Sequence, residues 1–283
     1  MSIRPIIAIA VAALVTAGIY FGANRVPPPP KGQEGPMSGR GPMQQQMQAA
    51  SLDLDSFENA VKRGFPQHAL ASFQKVERQL QSTHDSSQMQ PLFQEMGDIY
   101  KEHKNLPLAA YYYYLSAKLA NSEKSLTFAA QLLLDLARKE HEEGLQHWEA
   151  ANAIAGFEKL LQLNPGNDSA RISLAECYFG TGEAMKGVVL LKEITNKDPE
   201  NKAANLLLGQ QGLVSGQFDK AKQRFETVLK NDPENLEAML GLAEALKGTG
   251  EKEKAIALLQ DCKKLIKNPE FAKDIDEYIK TFK

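Results

Sequence analysis

A period of 34 residues is the feature of this sequence that most restricts its fold. Pro165, Pro199 and Pro233 lie 34 residues apart, and each stands between an Asn or Asp and, two positions later, an Asn. Proline lacks a backbone N–H and clashes with the preceding helical turn, so each proline predicts the end of a helix. Asparagine is a preferred N-cap, so the Asn after each proline predicts the start of the next helix.

Glycines recur with the same period, half a period away from the prolines, at Gly182, Gly216 and Gly250. Glycine accepts the backbone conformations that tight turns require. A turn at every half period leaves room for a helix of about 13 residues, and the apolar residues between the turns have helical spacing. The sequence therefore predicts pairs of antiparallel helices and an all-α fold.

The packing positions within each period resemble those of the tetratricopeptide repeat (TPR). In that family, small side chains let two helices approach closely while large side chains fill the space beside them. The resemblance implies an all-α, right-handed TPR-type α-solenoid of antiparallel helix pairs. The matching residues are Leu174, Ala175, Tyr178, Gly187, Leu191 and Ile194, then Leu208, Gly209, Ala221, Phe225 and Val228, then Leu242, Ala243, Leu246, Ala255, Leu259 and Cys262.

The same template divides residues 51–269 into six units. It fits most closely from about residue 145 onwards, and extra residues at 139–149 predict a longer helix or loop in the third unit. Residues 270–283 predict a capping helix, because the last unit of a stack must cover its exposed face. The units are 51–83, 90–123, 125–167, 168–201, 202–235 and 236–269, and the apolar stripe of the capping helix is Phe271, Ile275, Tyr278, Ile279 and Phe282.

An uncharged apolar segment precedes the repeats at residues 5–22, after a short tail at residues 1–4. As a helix it would measure roughly 27 Å, close to the ~30 Å hydrocarbon core of a bilayer. An uncleaved transmembrane signal anchor fits this segment best. A cleaved signal peptide and a buried helix of a soluble protein are the alternatives.

Residues 23–50 are rich in Pro, Gly and Gln, and this composition predicts a disordered linker. Positive charges lie on both sides of the apolar segment, so the positive-inside rule does not decide its orientation. A short basic N-terminus followed by an apolar stretch is similar to export signals. We therefore expect a single-pass protein of the bacterial inner membrane with its repeats in the periplasm.

Catalytic and metal-binding patterns are absent from the sequence. The five histidines do not share the spacing of a zinc helix, and no phosphate-binding loop or nucleophile elbow is present. A net charge of −2 gives no reason to expect a nucleic-acid partner. The sequence predicts a protein that is not an enzyme and that needs neither a cofactor nor a metal. Its two cysteines fall in different repeats and are not expected to form a disulfide.

The resemblance to TPR proteins implies a binding surface on the concave side, lined mainly by the first helix of each unit. In this chain the surface is expected to be an apolar groove edged by acids, suited to a protein or peptide segment. Groove and core are adjacent stripes on each helix, so the leucines among these residues are candidates for either. The predicted groove residues are Ile172, Glu176, Phe179, Leu206, Gln210, Leu213, Leu240, Glu244 and Lys247.

These features predict a membrane-anchored scaffold or adaptor for protein–protein interaction. The resemblance extends to bacterial single-span TPR proteins of the cell envelope. The alternative function is a structural component of an envelope complex that associates with itself through its end helices or tyrosines.

Overall fold

The computed structural model describes residues 52–266 and 268–281, which form thirteen α-helices joined by short turns. The fold class is all-α and of the TPR type, as the sequence predicted. The helices are α1 (Leu54–Lys62), α2 (Gln67–Ser82), α3 (Ser86–Glu102), α4 (Leu106–Ala120), α5 (Glu123–Ala137), α6 (Glu143–Leu163), α7 (Asp168–Gly180), α8 (Ala184–Lys197), α9 (Lys202–Val214), α10 (Phe218–Asn231), α11 (Leu236–Gly248), α12 (Lys252–Leu265) and α13 (Pro269–Lys280).

The asparagines after the repeated prolines cap helices. The side-chain oxygens of Asn167, Asn201 and Asn235 accept hydrogen bonds from the backbone N–H three residues later, at 2.9, 3.1 and 3.0 Å. These bonds satisfy backbone donors that the first turn of a helix leaves without a partner. The predicted starts of α7, α9 and α11 are confirmed.

The repeated glycines form the turns within the helix pairs. Gly182, Gly216 and Gly250 have φ angles of +79°, +71° and +85°. Only glycine adopts this left-handed region routinely, because a Cβ would crowd the following carbonyl. The 34-residue period therefore arises from two backbone requirements that recur once in each repeat. One is a capped helix start, and the other is a left-handed turn.

The helix contacts divide the described chain into two compact units, with the boundary after Glu193 inside α8. In the N-terminal unit, residues 52–193, neighbouring helices pack in sequence order from α2 to α7. Its core contains the fully buried aromatic rings of Phe73, Tyr100 and Phe157. The extra residues of the third repeat lengthen its second helix, since α6 has 21 residues.

The C-terminal unit, residues 194–281, packs α9 through α13 around a second apolar core. Its last helix, α13, has the predicted apolar stripe, because Phe271 and Ile275 are buried and Tyr278 and Ile279 pack against the core. These four residues place the apolar side of α13 on the core of the C-terminal unit. Phe282 lies outside the described residues.

The predicted tail, membrane helix and linker, residues 1–50, also lie outside the described residues. Among the helices from α1 to α13, none has the length and apolar content needed to cross a bilayer.

Candidate functional site

The predicted groove residues belong to the first helices of the repeats, and those on α9 and α11, other than Leu240, form one surface of the C-terminal unit. We call it the α9–α11 face; it consists of Leu206, Gln210, Leu213 and Val214 on α9, and Glu237, Glu244 and Lys247 on α11. Leu206 and Leu213 pack against the core with part of each side chain still exposed, and Gln210 is exposed. The Gln210 amide donates to the Glu237 carboxylate at 2.5 Å and so connects the two helices.

Val214 is a residue of this face that the sequence reasoning missed. It ends α9, follows Leu213 directly and is 64% exposed. Its position directly after Leu213, a predicted groove residue, could have identified it. The core side of the same helix is formed by other residues, including Ala204, Leu208 and Gly209. A large exposed apolar side chain beside partly exposed leucines provides contact area for a partner.

Leu240, one of the leucines that the sequence left open between groove and core, lies in the core. Its side chain is 5% exposed and belongs to the buried cluster of the C-terminal unit. Groove and core are adjacent stripes on α11, so a small rotation of the helix decides which stripe a leucine joins. Leu240 therefore offers almost no surface to a partner.

Glu244 and Lys247 give the α11 side of the face its charge. The Lys247 ammonium lies 4.0 Å from the Glu244 carboxylate and 4.6 Å from the centre of the Tyr278 ring. Burial raises the pKa of Glu244, and the nearby Lys247 only partly offsets this effect. A cation brought by a partner would therefore stabilise the charged form of Glu244.

The other predicted residues, Ile172, Glu176 and Phe179, lie on α7 in the N-terminal unit and are half-buried. The Arg138 Nε donates to Glu176 at 2.6 Å, and the same guanidinium bonds Asp135 at 2.7 Å. Phe179 packs on α8, where a Cβ on Gly187 would stand 2.6 Å from its ring. Phe179 therefore contributes to helix packing as well as to the surface.

An exposed aromatic residue on α5, Phe128, was not predicted. It is 59% exposed, and its ring centre lies 6.2 Å from that of Tyr113. Gln131 and Asp135 follow it by three and seven residues, so all three project from one face of α5. We call the surface formed by Asp98 and Lys101 on α3, these three residues on α5, and Ser173 and Glu176 on α7 the α3–α7 face.

The described residues contain no cluster of three or more His, Cys, Asp or Glu side chains that could hold a metal ion. Cys177 and Cys262 are buried free thiols. Burial raises the pKa of Cys177 to about 12 and that of Cys262 to about 11, which keeps both thiols protonated and unreactive near neutral pH.

Comparison with known families agrees with this architecture. Residues 145–210 and 213–273 match the tetratricopeptide repeat family. Comparison with curated protein sequences gives no match. Tetratricopeptide repeat scaffolds are typically non-catalytic and in general bind proteins or peptides.

Three solved structures are similar to this chain. A tetratricopeptide repeat protein from Parabacteroides merdae superposes with a TM-score of 0.51 at 15% identity, over 80% of this chain and 84% of that one. MamA gives a TM-score of 0.49 at 19% identity, over 62% of this chain and 90% of that one. YrrB, described as a TPR protein with an unusual peptide-binding site, gives 0.47 at 14% identity, over 73% and 98% of the two chains.

Proposed function

We propose that this chain, a tetratricopeptide-repeat protein, is a scaffold or adaptor that binds a segment of another protein on the faces formed by the first helices of its repeats. The observation that carries the proposal is the α9–α11 face. It places the exposed Val214 and the partly exposed Leu206 and Leu213 beside the acids Glu237 and Glu244. Exposed apolar side chains with a polar rim are the usual composition of a protein-binding surface.

Site-specific photo-crosslinking in cells tests this proposal. A photoreactive amino acid placed at Val214 is expected to capture a partner protein in high yield, because the side chain lies within the proposed contact. The matched control is the same amino acid at Gln223, an exposed position on α10 outside this face. Equal capture from both positions, or none from Val214, would argue against the α9–α11 face. A main product of twice the mass of the chain would favour self-association instead.

We also propose that residues 5–22 anchor the scaffold in a bacterial inner membrane, with the repeats in the periplasm as part of an envelope complex. The support is the uncharged apolar sequence of these 18 residues and their resemblance to an export signal.

The full chain is expected to stay in the membrane pellet during alkaline carbonate extraction. A C-terminal alkaline phosphatase fusion is expected to be active and a C-terminal GFP fusion dark. Release by carbonate would contradict the anchor, and the opposite pair of reporter results would reverse the orientation.

A further inference from the structure

Most of the Phe128 side chain lies outside the core of its repeat. It stands two residues before the small residue Ala130 on α5, as Gly241 stands two residues before Ala243 on α11. In each case the residue lies over the large aromatic of the preceding helix, Tyr113 beneath Phe128 and Phe225 beneath Gly241. One repeat therefore places a phenyl ring where another needs no side chain, and that ring remains 59% exposed.

Tyr113 contacts both the Phe128 ring and the Asp98 carboxylate, within the N-terminal unit. On the α3 side, the Tyr113 hydroxyl donates to Asp98 Oδ1 at 2.8 Å, and the Gln94 amide donates to the same oxygen at 3.5 Å. These bonds hold the exposed Asp98 carboxylate beside the edge of the Tyr113 ring. Lys101, three residues further along α3, is the basic residue of this helix that lies nearest to Asp98 in the sequence.

On the α7 side, a hydrogen-bonded network fixes two more carboxylates. The Gln131 amide donates to Asp135 at 3.0 Å and its oxygen accepts from the Ser173 hydroxyl at 3.4 Å. Asp135 and Glu176 share the Arg138 guanidinium. The Arg138 guanidinium is therefore already engaged with two acids, whereas the Asp98 carboxylate accepts from a neutral hydroxyl and a neutral amide.

We infer that the α3–α7 face receives a peptide segment that carries an arginine or lysine next to an apolar residue. The apolar residue would pack on the exposed Phe128 ring, and the cation would lie against the ring face or the Asp98 carboxylate. The exposed Asp98 carboxylate, bonded to a neutral hydroxyl and a neutral amide, complements a basic segment and disfavours an acidic one. This inference rests on the proposed function, because it names the class of partner that the first-helix surfaces take.

The test uses random dodecapeptides displayed on phage, selected against the full-length chain in detergent. The selected peptides are expected to be enriched in Arg or Lys adjacent to Leu, Ile, Phe or Met. Binding of the strongest synthetic peptide is expected to weaken about tenfold on Phe128→Ala, the order of effect of losing an aromatic anchor. It is expected to weaken severalfold on Asp98→Asn and between 50 and 500 mM salt, because exposed charges are screened.

Two further variants separate the contribution of the Phe128 ring from unrelated effects of mutation. Phe128→Leu keeps an apolar side chain without the ring and should bind more tightly than Phe128→Ala but less tightly than the native chain. Gln162→Ala, at an exposed position on α6, should leave binding unchanged. Neutral or acidic peptides that bind and depend on Phe128 would overturn the inference while the proposed function stands. Selected peptides whose affinity does not change in any variant of the α3–α7 or α9–α11 face would count against both the inference and the proposed function.

Discussion

Replacing Glu149 with leucine is expected to stabilise the N-terminal unit by a few kcal/mol at pH 8.5 and by much less at pH 5.5. Glu149 lies on α6 and is 0% exposed, and both of its carboxylate oxygens lack a hydrogen-bond partner among the described residues. Burial, with a further contribution from the negative charge of Glu140, raises the pKa of Glu149 to about 8. An ionised carboxylate in this position is costly, whereas a leucine of similar size is not.

The sign of the pH dependence follows from proton binding. The Glu149 pKa is about 8 in the folded chain against an ordinary value of 4.5, so between these values the folded state holds a proton that the unfolded state has lost. The free energy of unfolding therefore falls as the pH rises from 4.5 to 8, by at most about 1.4 kcal/mol per pH unit, and levels off above 8. Glu149→Leu and Glu149→Gln remove this slope.

Urea unfolding followed by the fluorescence of Trp148 measures this effect, because the single tryptophan is adjacent to Glu149 on α6. Glu143→Gln, at an exposed position in the first turn of the same helix, is the matched control and should keep the native pH dependence. If native and Glu149→Leu chains showed the same slope between pH 5.5 and 8.5, the buried, unpartnered carboxylate would be the wrong description of this site.

Replacing Phe225 with alanine is expected to destabilise the C-terminal unit by about 3–5 kcal/mol. The Phe225 ring is fully buried and fills the space between α10 and its two neighbours, α9 and α11. A Cβ on Gly209 would stand 2.7 Å from it, and a Cβ on Gly241 would stand 2.3 Å from it. Removal of the ring therefore opens a cavity between α9 and α11 that backbone atoms cannot fill.

Hydrogen exchange of the amides in residues 202–248 measures the local free energy of opening for this variant. Gly241→Ala alone should also destabilise, by about 1–3 kcal/mol, because the new methyl group overlaps the ring. The double variant Gly241→Ala/Phe225→Leu should cost less than the sum of its parts, because the smaller leucine leaves room for the methyl group. Two results would show that the ring does not connect α9 with α11. One is a double variant whose destabilisation equals the sum of the single effects, and the other is native protection from hydrogen exchange in Phe225→Ala.

The repeat architecture was predictable because its signals are local. Pro165, Pro199 and Pro233 end helices by their own covalent chemistry, and Gly182 and its two counterparts supply turns that other residues resist. The stripe that includes Phe271 and Ile275 predicted α13 for the same reason, since helical spacing in the sequence shows the buried side directly.

The surfaces were harder to predict because exposure depends on neighbouring helices. Glu149 lies in a stretch of Glu and His residues that looks solvated, yet it faces inward on the lengthened α6. Phe128 looks like a core residue in sequence but extends past the ring of Tyr113 into solvent. Leu206 and Leu240 occupy equivalent positions in consecutive repeats, and only Leu240 is buried. No periodicity distinguishes them, because packing between helices determines their exposure.

Calorimetric titration of the partner captured from Val214 measures whether the first-helix surfaces bind a protein segment. The ligand is the purified partner, and the receptor is the full-length chain in detergent. Leu213→Glu/Val214→Glu is expected to weaken binding at least tenfold, because it places two charges in an apolar contact at a cost of more than about 1.4 kcal/mol. Gln223→Glu/Gln260→Glu adds the same charge at exposed positions on α10 and α12 and should bind like the native chain. Native affinity in the folded Leu213→Glu/Val214→Glu chain would show that the partner does not bind through the α9–α11 face.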